Sequence, residues 1–112
     1  MITIAEESEI FSDKNGIFAV YFFSKWMPFH KKMLLMIEKV EEKFNIKFLA
    51  VDVDDFKSAV KRLDIDSVPT VVVFKDNIEV KRIKGLVLTS AFKNTFMEIK
   101  NGKSKESFSN RK

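Results

Sequence analysis

The sequence has no cysteine, and among its 112 residues it has one histidine, one tryptophan, one tyrosine, two prolines and three glycines. The absence of cysteine excludes disulfides and any metal or cluster held by thiolates. With His30 as the single histidine, no second imidazole exists to complete a tight metal site. No apolar run reaches the roughly 18 residues needed to cross a bilayer. The opening stretch MITIAEESEI places acids ahead of any apolar segment, unlike a secretory signal, so a cytosolic protein is expected. No internal repeat and no low-complexity block interrupts the chain.

Hydrophobic residues make up 46% and charged residues 32%, the balance of one globular domain rather than a disordered chain. The formal net charge of +4 raises the question of nucleic acid, but its distribution weakens that reading. The segment from Asn101 to Lys112 carries Lys103, Lys105, Arg111 and Lys112 against Glu106, so it holds most of the excess. We therefore expect a domain over residues 1–100 and a basic, solvated tail over 101–112.

Between these limits the hydrophobic pattern is regular. Ile17 to Phe23, IFAVYFF, is a continuous apolar run suited to a strand buried on both faces. Met33, Met36, Ile37, Val40 and Phe44 then recur at helical spacing, with Pro28 at the start. Ile46 to Val53 predicts a second core strand. Asp54 is expected to cap a helix running to Leu63, with Phe56, Val60 and Leu63 inward. Thr70 to Phe74 and Ile78 to Ile83 flank Asp76-Asn77, a pair suited to positive φ, and predict a hairpin that Gly85 ends. Leu88 to Ile99 predicts the last helix, with Leu88, Phe92, Phe96 and Ile99 on its inner face. Ile2 to Ile4 adds an edge strand before a short helix near Glu6 to Phe11. The result is an α/β fold of order βαβαβαββα, a central mixed β-sheet flanked by helices.

Four stretches in this order resemble the thioredoxin family, and the resemblance covers nearly all of residues 1–100. VYFFSKW, ending at Trp26, resembles the strand that leads to the family's motif. FLAVDVDD, from Phe48 to Asp55, resembles the strand and turn after the second helix. DIDSVPT, from Asp64 to Thr70, resembles the loop of the family's cis-proline, here Pro69. FKDNIEVKRIKG resembles the closing hairpin and its glycine, here Gly85. The resemblance implies the thioredoxin fold and a cis Val68–Pro69 bond.

It also implies where the family's chemistry is missing. Thiol exchange needs a thiolate to attack and a second thiol to resolve. Those positions are Met27 and His30. The buried aspartate that assists proton transfer in many thioredoxins falls at Tyr21, its lysine companion at Ala50, and the helix-kinking proline at Leu35. Loss of all of these together points to a dismantled redox site.

The expected function is a redox-inactive binding or structural module, since thioredoxin-like domains also serve as adaptors and subunits. The candidate binding surface is Trp26, Met27, Pro28, Phe29, His30, Val68, Pro69, Gly85 and Leu86, with Trp26, Met27, Phe29 and Leu86 forming an apolar patch beside the open backbone of Val68. Its expected ligand is a protein or an extended peptide segment. No catalytic residue, metal or cofactor is assigned. Two alternatives stand beside this reading. One is an atypical oxidoreductase or metal-dependent activity centred on Met27 and His30, which lie three apart at a helix start. The other is a nucleic-acid accessory role through the basic tail.

Overall fold

A computed structural model describes residues 1–102 apart from Ala5, so the tail from Lys103 onward lies outside the described residues. The element order is β1 (Ile2–Thr3), α1 (Ser8–Phe11), β2 (Ile17–Phe23), α2 (His30–Phe44), β3 (Lys47–Asp52), α3 (Lys57–Arg62), β4 (Thr70–Lys75), β5 (Ile78–Lys84) and α4 (Thr89–Lys100). This is the expected order. The five strands form one sheet in the order β1-β3-β2-β4-β5. β2 and β3 run parallel, with Tyr21 beside Ala50, while β4 lies antiparallel to both β2 and β5.

The alternation of β2 divides the core. Ala19, Tyr21 and Phe23 point to the face covered by α2 and α4, where they meet Met33, Ile37, Phe92 and Phe96. Phe18, Val20 and Phe22 point to the other face, against Ile10 of α1 and Ala59 of α3. A strand covered on both sides cannot afford polar residues on either, which is why IFAVYFF has none but Tyr21.

Three local expectations need correction. Asp54 does not cap α3. Its own N–H donates to Asp52 Oδ1 at 2.9 Å, and the helix starts later, behind Phe56. The missing cap is supplied from a distance by Glu7, whose Oε2 accepts the Ala59 N–H at 2.8 Å. Leu88 is not inward. It stands at the N-cap of α4 and is 76% exposed, because the helix begins one residue later than the apolar spacing suggests. The second helix likewise starts at His30, leaving Pro28 two residues ahead of it.

The hairpin turn behaves as expected. Asp76 and Asn77 take φ of 50° and 70°, values that these two residue types tolerate. The turn is clamped to the start of β2. Gly16 N–H donates to Asp76 Oδ1 at 2.9 Å, Asp76 N–H to Gly16 C=O at 2.9 Å, and Lys14 N–H to Asn77 Oδ1 at 3.0 Å. No helix among the described residues is long and apolar enough to cross a membrane.

Candidate functional site

The sheet register gathers four loops at one end. Phe22 lies beside Thr70, Phe23 beside Asp52, and Thr70 beside Lys84. The segments that follow β2, β3 and β5 therefore meet the loop that enters β4. Gly85 N–H donates to Pro69 C=O at 2.8 Å and ties two of them together. The Val68–Pro69 bond is cis, as the resemblance of this loop to the family's implied. Gly85 has φ of 79° and open space where a Cβ would stand, so its backbone angle, not crowding, calls for glycine.

The turn after β2 sorts its side chains by direction. Ser24 is buried. Its carbonyl accepts the Met27 N–H at 3.2 Å, and its hydroxyl lies 3.4 Å from the Trp26 nitrogen. This tight turn throws Trp26 out, 76% exposed, and folds Met27 inward, 6% exposed, into the core beneath α2. Met27 is therefore not part of an exposed patch. Three consecutive apolar residues around one turn cannot all face solvent, and the thioether fills the gap under the helix. Phe29 is 46% exposed and Pro28 is exposed, whereas Leu86 is half-buried against the core. Among the described residues, Trp26, Phe29 and Leu88 are the large apolar side chains of these loops that are exposed.

Beside Trp26 lies an open cavity of about 250 Å³ bounded by Ser24, Val53, Val60, Ile65 and Val68, with Asp66 at its margin. The Lys84 ammonium donates to Asp66 and holds its carboxyl below the usual carboxylate range. Among the described residues neither the N–H nor the C=O of Val68 has a hydrogen-bond partner. Asp52, at the end of β3, is a buried carboxylate that the sequence reading did not single out. It accepts the Asp54 N–H, and Lys25 Nζ stands 3.6 Å away.

His30 is half-buried and meets Tyr21, nine residues earlier in the chain. The Tyr21 hydroxyl is 2.8 Å from His30 Nδ1. The imidazole stacks on Phe23 at 4.7 Å and on Tyr21 at 5.9 Å. Burial pushes the Tyr21 hydroxyl far above its ordinary range, so it stays protonated. The two residues standing where the family keeps its acid and its resolving thiol are thus bonded to one another. Met27 faces the core while His30 turns Nδ1 to Tyr21, so the pair presents no joint donor set. No cluster of three or more His, Asp or Glu side chains fit for a metal ion occurs among the described residues.

A mixed sheet between two helix layers, with a helix start, a cis X–Pro loop and a glycine loop converging at one end, defines a thioredoxin-type domain, here without sulfur chemistry at that end. The thioredoxin family model matches residues 2–108, and the chain belongs to that family. Among curated relatives it is 31% identical over 86 residues to the thioredoxin of Mycoplasma genitalium, covering 76% of this chain and 83% of that protein. It is 27% identical over 84 residues to the thioredoxin of Chlamydia trachomatis, covering 74% and 82%. Among solved structures, Plasmodium falciparum thioredoxin superposes with a TM-score of 0.80 at 25% identity, covering 88% of this chain and 98% of that one.

Proposed function

We propose that this protein is a redox-silent member of its family that binds an extended segment of a protein partner across the end of the sheet that holds Trp26. The observation that carries the proposal is the pairing of a 76% exposed Trp26 with a neighbouring Val68 whose backbone groups have no partner among the described residues. A large aromatic left in water beside free N–H and C=O groups suits strand-like docking, with backbone bonds for affinity and an apolar anchor for specificity. Phe29 and Leu88 extend the apolar surface, and the cavity beside Trp26 has room for one aliphatic side chain of the partner. His30, Pro28, Gly85 and Leu86 frame the site, while Met27 and Pro69, both buried and so not part of the exposed surface the sequence suggested, support it from below.

Thiol exchange is not open to a chain without cysteine, because both the attacking thiolate and the resolving thiol are missing. The nucleic-acid alternative rests on the basic segment after Gly102, which lies outside the described residues, so the proposal rests on the folded domain alone.

The test joins two measurements. Reductase-coupled disulfide reduction by the purified protein is expected at background. A photo-crosslinker placed at position 26 is expected to trap a partner in native complexes, with contacts mapping to the loops around Val68 and Gly85. Contacts confined to the hairpin end or to the outer helix faces would overturn the site. Activity above background would overturn the redox-silent reading.

A further inference from the structure

We propose that Tyr21 holds His30 as a hydrogen-bond donor and that His30 Nε2–H engages an oxygen acceptor of the bound partner segment, a role that rests on the binding surface proposed above.

Tyr21 has no exposed surface, and its Oη has one polar neighbour among the described residues, His30 Nδ1 at 2.8 Å. A buried O–H left without an acceptor forfeits its hydration with nothing in return, so the hydroxyl donates and Nδ1 accepts with its lone pair. A neutral imidazole carries one N–H, and with Nδ1 occupied as acceptor that proton sits on Nε2. The rings of Phe23 and Tyr21, both nearly parallel to the imidazole, fix its plane.

Nε2 has no partner among the described residues, yet no buried side-chain nitrogen of the half-buried or buried residues goes unpaired. Nε2 therefore reaches solvent. It is a donor with a fixed direction at the start of α2, directly after the exposed Phe29. Lys31 and Lys32 follow it, both exposed, and the first turn of the helix holds no acid. Cations and the helix start both favour a negative or partly negative group there. The chemistry that fits is a carbonyl or carboxylate oxygen of the partner. Because Nε2 carries the proton, it offers no lone pair to a metal and no base to a substrate.

The probes are the protein alone and peptides selected from a displayed library of extended segments on the wild-type chain. In nitrogen-15 spectra of the imidazole, the proton is expected on Nε2 with Nδ1 as acceptor, and Tyr21→Phe is expected to release a mixture of both tautomers. The double variant Tyr21→Phe/His30→Phe keeps the stacked rings and leaves no orphan hydroxyl, so it is expected to fold. Selected peptides should bind it about five- to tenfold more weakly than wild type, the loss of one hydrogen bond. A proton on Nδ1 in the wild-type protein would overturn the proposal. So would peptides that lose binding with Trp26→Ala but bind the double variant as tightly as wild type, an outcome that leaves the surface itself standing. An empty selection, or peptides indifferent to Trp26→Ala, would overturn the surface reading and the role of His30 with it.

Discussion

The two ends of the sheet differ in how completely their polar backbone is paired. At the hairpin end, side chains are spent on backbone groups. Asp76 and Asn77 accept the N–H groups of Gly16 and Lys14, and the Lys14 ammonium donates to the carbonyls of Ile10 and Ser12. Partial burial there, and the nearby Lys47, lower the affinity of Lys14 for its proton. At the other end Ser24 and Asp52 also serve backbone N–H groups, but among the described residues both backbone groups of Val68 are unpaired, and Trp26, Phe29 and Leu88 are exposed. Among the described residues, Ile78 is the one large apolar side chain exposed at the hairpin turn. A single fold thus closes one end on itself and leaves the other incomplete. Selection for stability alone would close both, since unpaired polar groups and exposed aromatics give the folded state nothing.

The largest expected effect breaks the closed end. Replacing Asp76 and Asn77 together by alanine removes two acceptors and leaves both positions at positive φ without the side-chain bonds that Asp and Asn make there. Denaturant melts should show a loss of about 3 kcal/mol in stability, with partner binding unchanged. A loss of binding as large as the loss of folding would show that the two ends are not separable.

Next comes the mirror experiment. Trp26→Ala should weaken partner binding by about 2 kcal/mol while moving stability little, because the indole is mostly in solvent. A melting shift comparable to that of the hairpin variant would instead mark Trp26 as a plug.

The third sharpens the comparison by pH. The folded Tyr21 hydroxyl is held above its ordinary value by burial, whereas in the unfolded chain it ionises near pH 10. Between those values the native state binds more protons than the unfolded state. Its contribution is therefore complete below about pH 10 and is lost above it, at up to about 1.4 kcal/mol per pH unit. Tyr21 is the only tyrosine, so phenolate absorbance reports it alone, and Tyr21→Phe should remove this alkaline limb.

The smallest effect tests the distant cap. Glu7→Ala should cost about 1 kcal/mol, and amide exchange should rise at Ala59 and along α3, near the cavity beside Trp26. Unchanged protection at Ala59 would mean that the helix start is satisfied by water instead.

The order of strands and helices and the positive-φ turn at Asp76-Asn77 were legible in the sequence, because each rests on neighbours within a few residues, and the loop around Pro69 was legible through its resemblance to the thioredoxin family. Period-two and period-3.6 patterns record which faces are covered, and turn residues record the backbone angles they allow. So was the loss of thiol chemistry, which follows from composition alone. Tertiary structure decided the rest. It sent Trp26 outward and Met27 inward from one turn of similar apolar residues, since only the space beneath α2 distinguishes them. It left Leu88 outside although its spacing matched the inner face of α4. It brought the carboxylate of Glu7 to the N–H of Ala59 across 52 positions of sequence, and it joined the Tyr21 hydroxyl to the ring of His30. Hydrogen bonds and burial of this kind depend on where the sheet register sets the elements side by side, and that placement is fixed by the packing of the whole core rather than by any local run of residues.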